Sequence, residues 1–226
     1  MISFPLGDAA RVDRSLPMAG VDLSPDVVAV TVARPDGNFQ ASRCFWCHDL
    51  VHASRNKREW IAGNLAAEIA EWLVSLGIKQ VALEELSFAQ DHDTHRAFNR
   101  ITHNFCKALL FHRIVVALRR RGMAVFTVPA RFTSFIGYVK YAETYGLSVH
   151  QAAALVVACR ALGLAEKVPW ELRRRLPPRE GWPHAKLWGE LFGRFRAARK
   201  RAAREGRSVR AWTPQDWLTW MFAEAG

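Results

Sequence analysis

Three long stretches of this chain carry apolar residues at helical spacing, and each ends on a glycine. Lys57 to Leu76 places Ile61, Leu65, Ile69, Trp72, Leu73 and Leu76 on one face before Gly77; His95 to Arg121 stops at Gly122; His150 to Leu162 stops at Gly163. Glycine is a natural helix stop because it enters the left-handed region at little cost. Short apolar runs of strand type lie between and before these helices: Ala19–Leu23, Ile78–Leu83 and Met123–Val128, the last ended by Pro129. Val27–Ala33 and the run from Asn38 flank Asp36-Gly37, a hairpin signal. Strands alternating with helices of this length predict an α/β fold with a mixed sheet: an antiparallel hairpin first, then βα units.

Charge divides the chain further. Lys plus Arg number 32 against 21 Asp plus Glu, a net of +11. Residues 167–210 alone hold 14 basic and 4 acidic residues, a net of +10, so the preceding body is nearly balanced. This divides the chain into a lead (1–18), an α/β body (19–166) and a basic C-terminal extension (167–226), within which Leu187–Arg204 reads as a short basic helix. Such a balance favours a polyanionic partner, nucleic acid before an anionic membrane surface. No stretch is long and apolar enough for a membrane-spanning helix, and the N-terminus lacks signal-peptide order, so a cytoplasmic location and no membrane partner are expected. Four cysteines make no disulfide framework.

Two carboxylates fall at predicted strand ends, Asp22 and Glu84, where open α/β sheets collect their sites. Hard oxygen ligands of this kind suit Mg²⁺, which is held by one or two carboxylates plus phosphate and water. Each residue alone reads equally as a turn residue or a helix cap.

Four segments in register resemble the transposon-encoded OrfB family, the TnpB-type proteins related to type V CRISPR effectors. They are Gly20-Val-Asp22-Leu-Ser with its hairpin; Val81-Ala-Leu-Glu84-Glu-Leu-Ser87; Phe98-Asn-Arg100 through Gly122 to Pro129-Ala-Arg-Phe-Thr133-Ser134; and Lys140-Tyr141, Tyr145-Gly146, His150-Gln-Ala-Ala-Ala154 and Arg160-Ala-Leu-Gly163. The resemblance implies a RuvC-type, RNase H-like domain and a metal-dependent DNA endonuclease, with Asp22 and Glu84 as metal-binding and catalytic carboxylates and Mg²⁺ or Mn²⁺ as cofactor. Glu85 is then a neighbour on the opposite strand face. The third acidic position of the family is occupied by His150. Three outcomes stay open: an Asp/Glu/His site with His150 as ligand or general base, a site completed by another carboxylate such as Glu143, or a nucleic-acid-binding or regulatory protein that no longer cuts.

Two further departures matter. The family's paired Cys-x-x-Cys zinc ribbon is missing, and Cys44-Phe-Trp-Cys47-His48, with His52, sits in a hairpin whose alternation sends the two thiols to opposite faces; no zinc is expected. Only about 18 residues precede Gly20, where relatives carry a recognition and wedge region that handles guide RNA. Three arrangements stay open: a longer gene product that carries those parts, a partner protein that supplies them, or a chain that stands alone; the resemblance implies DNA as partner and leaves a guide RNA open. In the extension, Arg194, Arg196, Arg199, Lys200, Arg201 and Arg204 are the candidate nucleic-acid contacts. The aromatics among them, Trp182, Trp188, Phe192 and Phe195, suit stacking on unpaired bases or packing onto the body.

Overall fold

The computed structural model describes residues 11–24, 26–85, 96–177, 181–209 and 212–223. Strands β1 (Met18–Leu23), β2 (Val27–Ala33) and β3 (Phe39–Trp46) form an antiparallel meander. On its other edge β1 pairs in parallel with β4 (Gln80–Glu84), which pairs in parallel with β5 (Ala124–Val128). The order β3-β2-β1-β4-β5 puts β1 at the centre, antiparallel on one side and parallel on the other. This is the mixed sheet flanked by helices that the sequence predicted, in the RNase H-like arrangement that the resemblance implied.

The parallel pairings need crossovers, and helices supply them. Helix α1 (Arg55–Ser75) returns the chain from β3 to β4, and α2 (Arg96–Arg120) from β4 to β5. Both cover the face carrying Ala19, Val21, Val28, Val30, Val81 and Leu83. The opposite face, with Met18, Ala33 and Ala82, receives α5 (Val149–Ala161). Since β1 and β2 are buried on both faces, their largely apolar composition follows. Helix α5 lies hard on β1: a Cβ on Gly20 would come within 1.9 Å of the Ala154 carbonyl oxygen.

Two regions differ from the sequence reading. The aromatic stretch from 130 to 150 reads in sequence as rich in turns, but residues 133–145 are helical: α3 (Thr133–Gly137), a π-helical turn (Tyr138–Ala142) and α4 (Glu143–Tyr145). Gly137 serves close packing there, because a Cβ would meet the Ala152 carbonyl oxygen at 2.6 Å. The basic extension packs onto the body through α6 (Trp170–Arg173), α7 (His184–Arg204) and α8 (Pro214–Phe222), the last not foreseen from the sequence. Its apolar residues share one core with Phe135, Ile136 and Val156 of the body. Trp188 is fully buried, and its indole N–H donates to the Glu166 carbonyl at 2.7 Å.

Candidate active site at the ends of β1 and β4

The parallel register pairs Ala19 with Val81, Gly20 with Ala82 and Val21 with Leu83; one step further it sets Asp22 level with Glu84. Alternation along each strand puts both side chains on the α5 face. Their Coulombic coupling is felt at Glu84, whose carboxyl is pushed up chiefly by burial and further by the Asp22 charge. The Thr133 hydroxyl donates to Glu84 Oε1 and, with Lys107 and Arg160, opposes that rise. Glu85 is exposed, as alternation requires, and its N–H donates to the Val128 carbonyl at 2.8 Å.

Helix α5 starts beside this pair. A capping box, Ser148 with Gln151, fixes its first turn. The close approach of α5 to β1 at Gly20 then delivers His150 to Asp22, Nδ1 to Oδ2 at 2.8 Å. Asp22 is almost fully buried, at 5% exposure. Ser24 Oγ lies 3.1 Å from the same Nδ1. The imidazole is raised above its ordinary value, mainly by the Asp22 hydrogen bond and against the effect of burial. The structure therefore brings together all three residues singled out from the sequence. Glu143 stands exposed in α4, and its charge is felt at Tyr138.

Two participants escaped the sequence reading. Thr133 reaches Glu84 from a turn in which Phe132 adopts φ 63, a left-handed conformation costly for a residue with a Cβ. Lys107, on α2, bears electrostatically on both Glu84 and His150. The motif containing Thr133 was visible in the sequence, but its partner was not; for Lys107 only helical periodicity after Arg96 offered a signal.

Two hard carboxylates on neighbouring strands, one of them pushed towards its protonated form by burial and by the other's charge, fit a divalent cation that completes its shell with water and phosphate. Among the described residues, no group of three or more His, Cys, Asp or Glu side chains has the geometry to hold a metal by itself. Asp22, Glu84 and His150, the metal set that the resemblance implies, do not form such a group. Cys44 lies on the Asp22 face and feels its charge, whereas Cys47 is buried against α1 and α2. None of the four cysteines forms a disulfide.

No protein-family model matches the chain, and no curated protein matches its sequence. Several solved structures are similar to it, two of them as follows. A Thermus thermophilus RuvC structure shares 16% identity over 63% of this chain and 91% of its own, with a TM-score of 0.45. T. thermophilus RuvC in complex with a Holliday junction substrate gives 16%, 63%, 90% and 0.44. The strand order itself establishes the fold.

The six basic candidates separate by environment. Arg196, Arg199, Lys200 and Arg204 are exposed along one side of α7. Arg194 pairs with Glu190 at 3.2 Å. Arg201 lies over the Trp220 ring and donates to the Trp220 and Ala223 carbonyls at the end of α8. Trp188, Phe192 and Phe195 pack around Phe135, so these aromatics anchor the extension to the body. No helix among the described residues is long and apolar enough to cross a membrane.

Proposed function

We propose that this chain is a metal-dependent DNA endonuclease module of the TnpB type, hydrolysing phosphodiester bonds at the Asp22–Glu84 pair. The observation that carries this reading is the level placement of two partly or fully buried carboxylates on adjacent parallel strands, with His150 docked on one of them. Asp22 and Glu84 would hold Mg²⁺ or Mn²⁺. The bound ion would supply activation of water and charge stabilisation at the scissile phosphate. Thr133 fixes the orientation of Glu84. His150, with Nδ1 on Asp22, keeps Nε2 as its remaining nitrogen for a ligand or a proton. The exposed cations of α7 neutralise backbone phosphates. A guide RNA and a recognition region supplied elsewhere belong to this proposal through the family resemblance.

The test is nicking of single-stranded DNA by purified protein in Mg²⁺ and in Mn²⁺. Cleavage that needs metal and disappears in Asp22→Ala is expected. No cleavage by clean wild-type protein in either metal, with or without guide RNA, overturns it. A second reading, a nucleic-acid-binding protein that does not cut, is favoured by one observation: His150 Nδ1 already occupies Asp22 Oδ2. That reading predicts salt-sensitive binding that survives Asp22→Ala.

A further inference from the structure

A cavity of about 490 Å³ lies between the start of α5, α3 and the helices of the extension. This volume is within the range of small-molecule sites, roughly 300–1,000 Å³. Rings of Phe195, Trp212 and Trp217 line it. They meet edge to face, Phe195 with Trp217 at 5.0 Å and 69°, Trp212 with Trp217 at 4.6 Å and 63°. The ring surfaces that line the cavity are apolar and aromatic, the kind on which a planar guest stacks. The remaining charged wall is Arg199, an exposed cation of the α7 row.

The position of this cavity ties it to the carboxylates. Ser134 and Val149 are both lining residues. Ser134 follows Thr133, whose hydroxyl holds Glu84; Val149 precedes His150, which holds Asp22. Successive helical residues point about 100° apart, so the same two helix starts present one side chain to the carboxylates and its neighbour to the cavity. The cavity and the carboxylates therefore adjoin the same two helix starts.

We infer that this cavity takes one unpaired base of the DNA strand held at the carboxylates, stacked on the aromatic wall, with Arg199 on its phosphate. The inference rests on the DNA-endonuclease reading and deepens it by assigning a base-holding subsite. Aromatic walls recognise a π-face whatever the base, and the neighbouring cations supply the complementary charge.

The experiment compares binding of a fluorescent oligothymidylate with binding of an equally long strand that is abasic throughout, with metal chelated so that cleavage plays no part. Wild-type protein should prefer the base-bearing strand by at least about fivefold, the equivalent of one stacking contact at the low end of the range. Val149→Trp and, from the other wall, Ser134→Trp fill the cavity and should bind the two strands alike; both positions are exposed and tolerate bulk. Trp170→Ala, which removes an exposed indole outside the cavity, should keep the preference. Equal wild-type affinities, or a preference that persists in both filled variants, overturns the subsite. Cleavage without base preference leaves the nuclease reading standing and removes the subsite; base preference without cleavage does the reverse.

Discussion

At the ends of β1 and β4 two carboxylates are drawn out of water, whereas on α7 four cations stand in it. Burial changes what charge can do. Asp22, nearly inaccessible, acts on its neighbours through a low-dielectric interior, holding up the imidazole of His150 and the carboxyl of Glu84. Arg196, Arg199, Lys200 and Arg204 are screened by solvent and salt, and their use lies in attraction over distance to a polyanion. One region is built for position, the other for affinity. The nearly balanced charge of residues 1–166 and the +10 of residues 167–210 follow the same division.

Substitutions can separate the two. Asp22→Asn should reduce nicking by about 1,000-fold, in line with several kcal/mol of lost charge stabilisation, while single-strand binding persists. Equal loss of binding would mean that the regions are not separable. Gly20→Ala comes next, because its methyl would meet the Ala154 carbonyl at 1.9 Å and force α5 off β1. A loss of about 3 kcal/mol, read as a melting point lower by about 10 °C, is expected, with the His150–Asp22 contact broken.

Neutralising the four exposed α7 cations together should act on binding alone. The slope of log affinity against log salt should become shallower by roughly 3, from about 0.7 per phosphate contact on a single strand. A strand bound with an unchanged slope would assign the phosphate contacts elsewhere. Arg201 and Arg196 sharpen the point within one helix. Arg201→Ala, which removes the cation from Trp220 and from the carbonyls ending α8, should cost about 1–2 kcal/mol. Arg196→Ala should stay within about 0.5 kcal/mol in a thermal melt.

How far these regions could be read from the sequence depended on the range of the interactions. Glycine stops and apolar runs are local, so the helices ending at Gly77, Gly122 and Gly163 were legible to within a few residues. Asp22 and Glu84 were legible because a strand end is also a local feature, and their pairing followed from the family resemblance. The orientation of Thr133 was not, since it depends on the left-handed Phe132 and on tertiary contact with Glu84. Residues 133–145 were not legible as helix because their packing on α5, with Gly137 at the point of contact, is visible only in three dimensions. Helix α8 had a signal that was available: Thr213 and Asp216 form a capping box with Pro214 in the first turn. The division of the α7 cations into exposed and committed ones was beyond the sequence, because Glu190 is in reach along the helix but Trp220 arrives from another element.

The smallest effect tests the link between the buried pair and the helix that completes it. Five influences act on His150: its hydrogen bond with Asp22 and the charges of Asp22 and Asp26 raise the imidazole, while burial and Lys107 lower it. The hydrogen bond is the largest of these, so the net direction is upward. A raised imidazole contributes stability that is fully present below the unfolded value and is lost as pH rises through the folded one. The ring is nearly half exposed, which keeps that contribution small. An NMR titration of the imidazole in metal-free protein should place its midpoint above the ordinary histidine value, and Asp22→Asn should move the midpoint down. A midpoint indifferent to Asp22→Asn would mean that the imidazole does not rest on Asp22 in solution, and α5 would then set the position of His150 without completing the carboxylate pair.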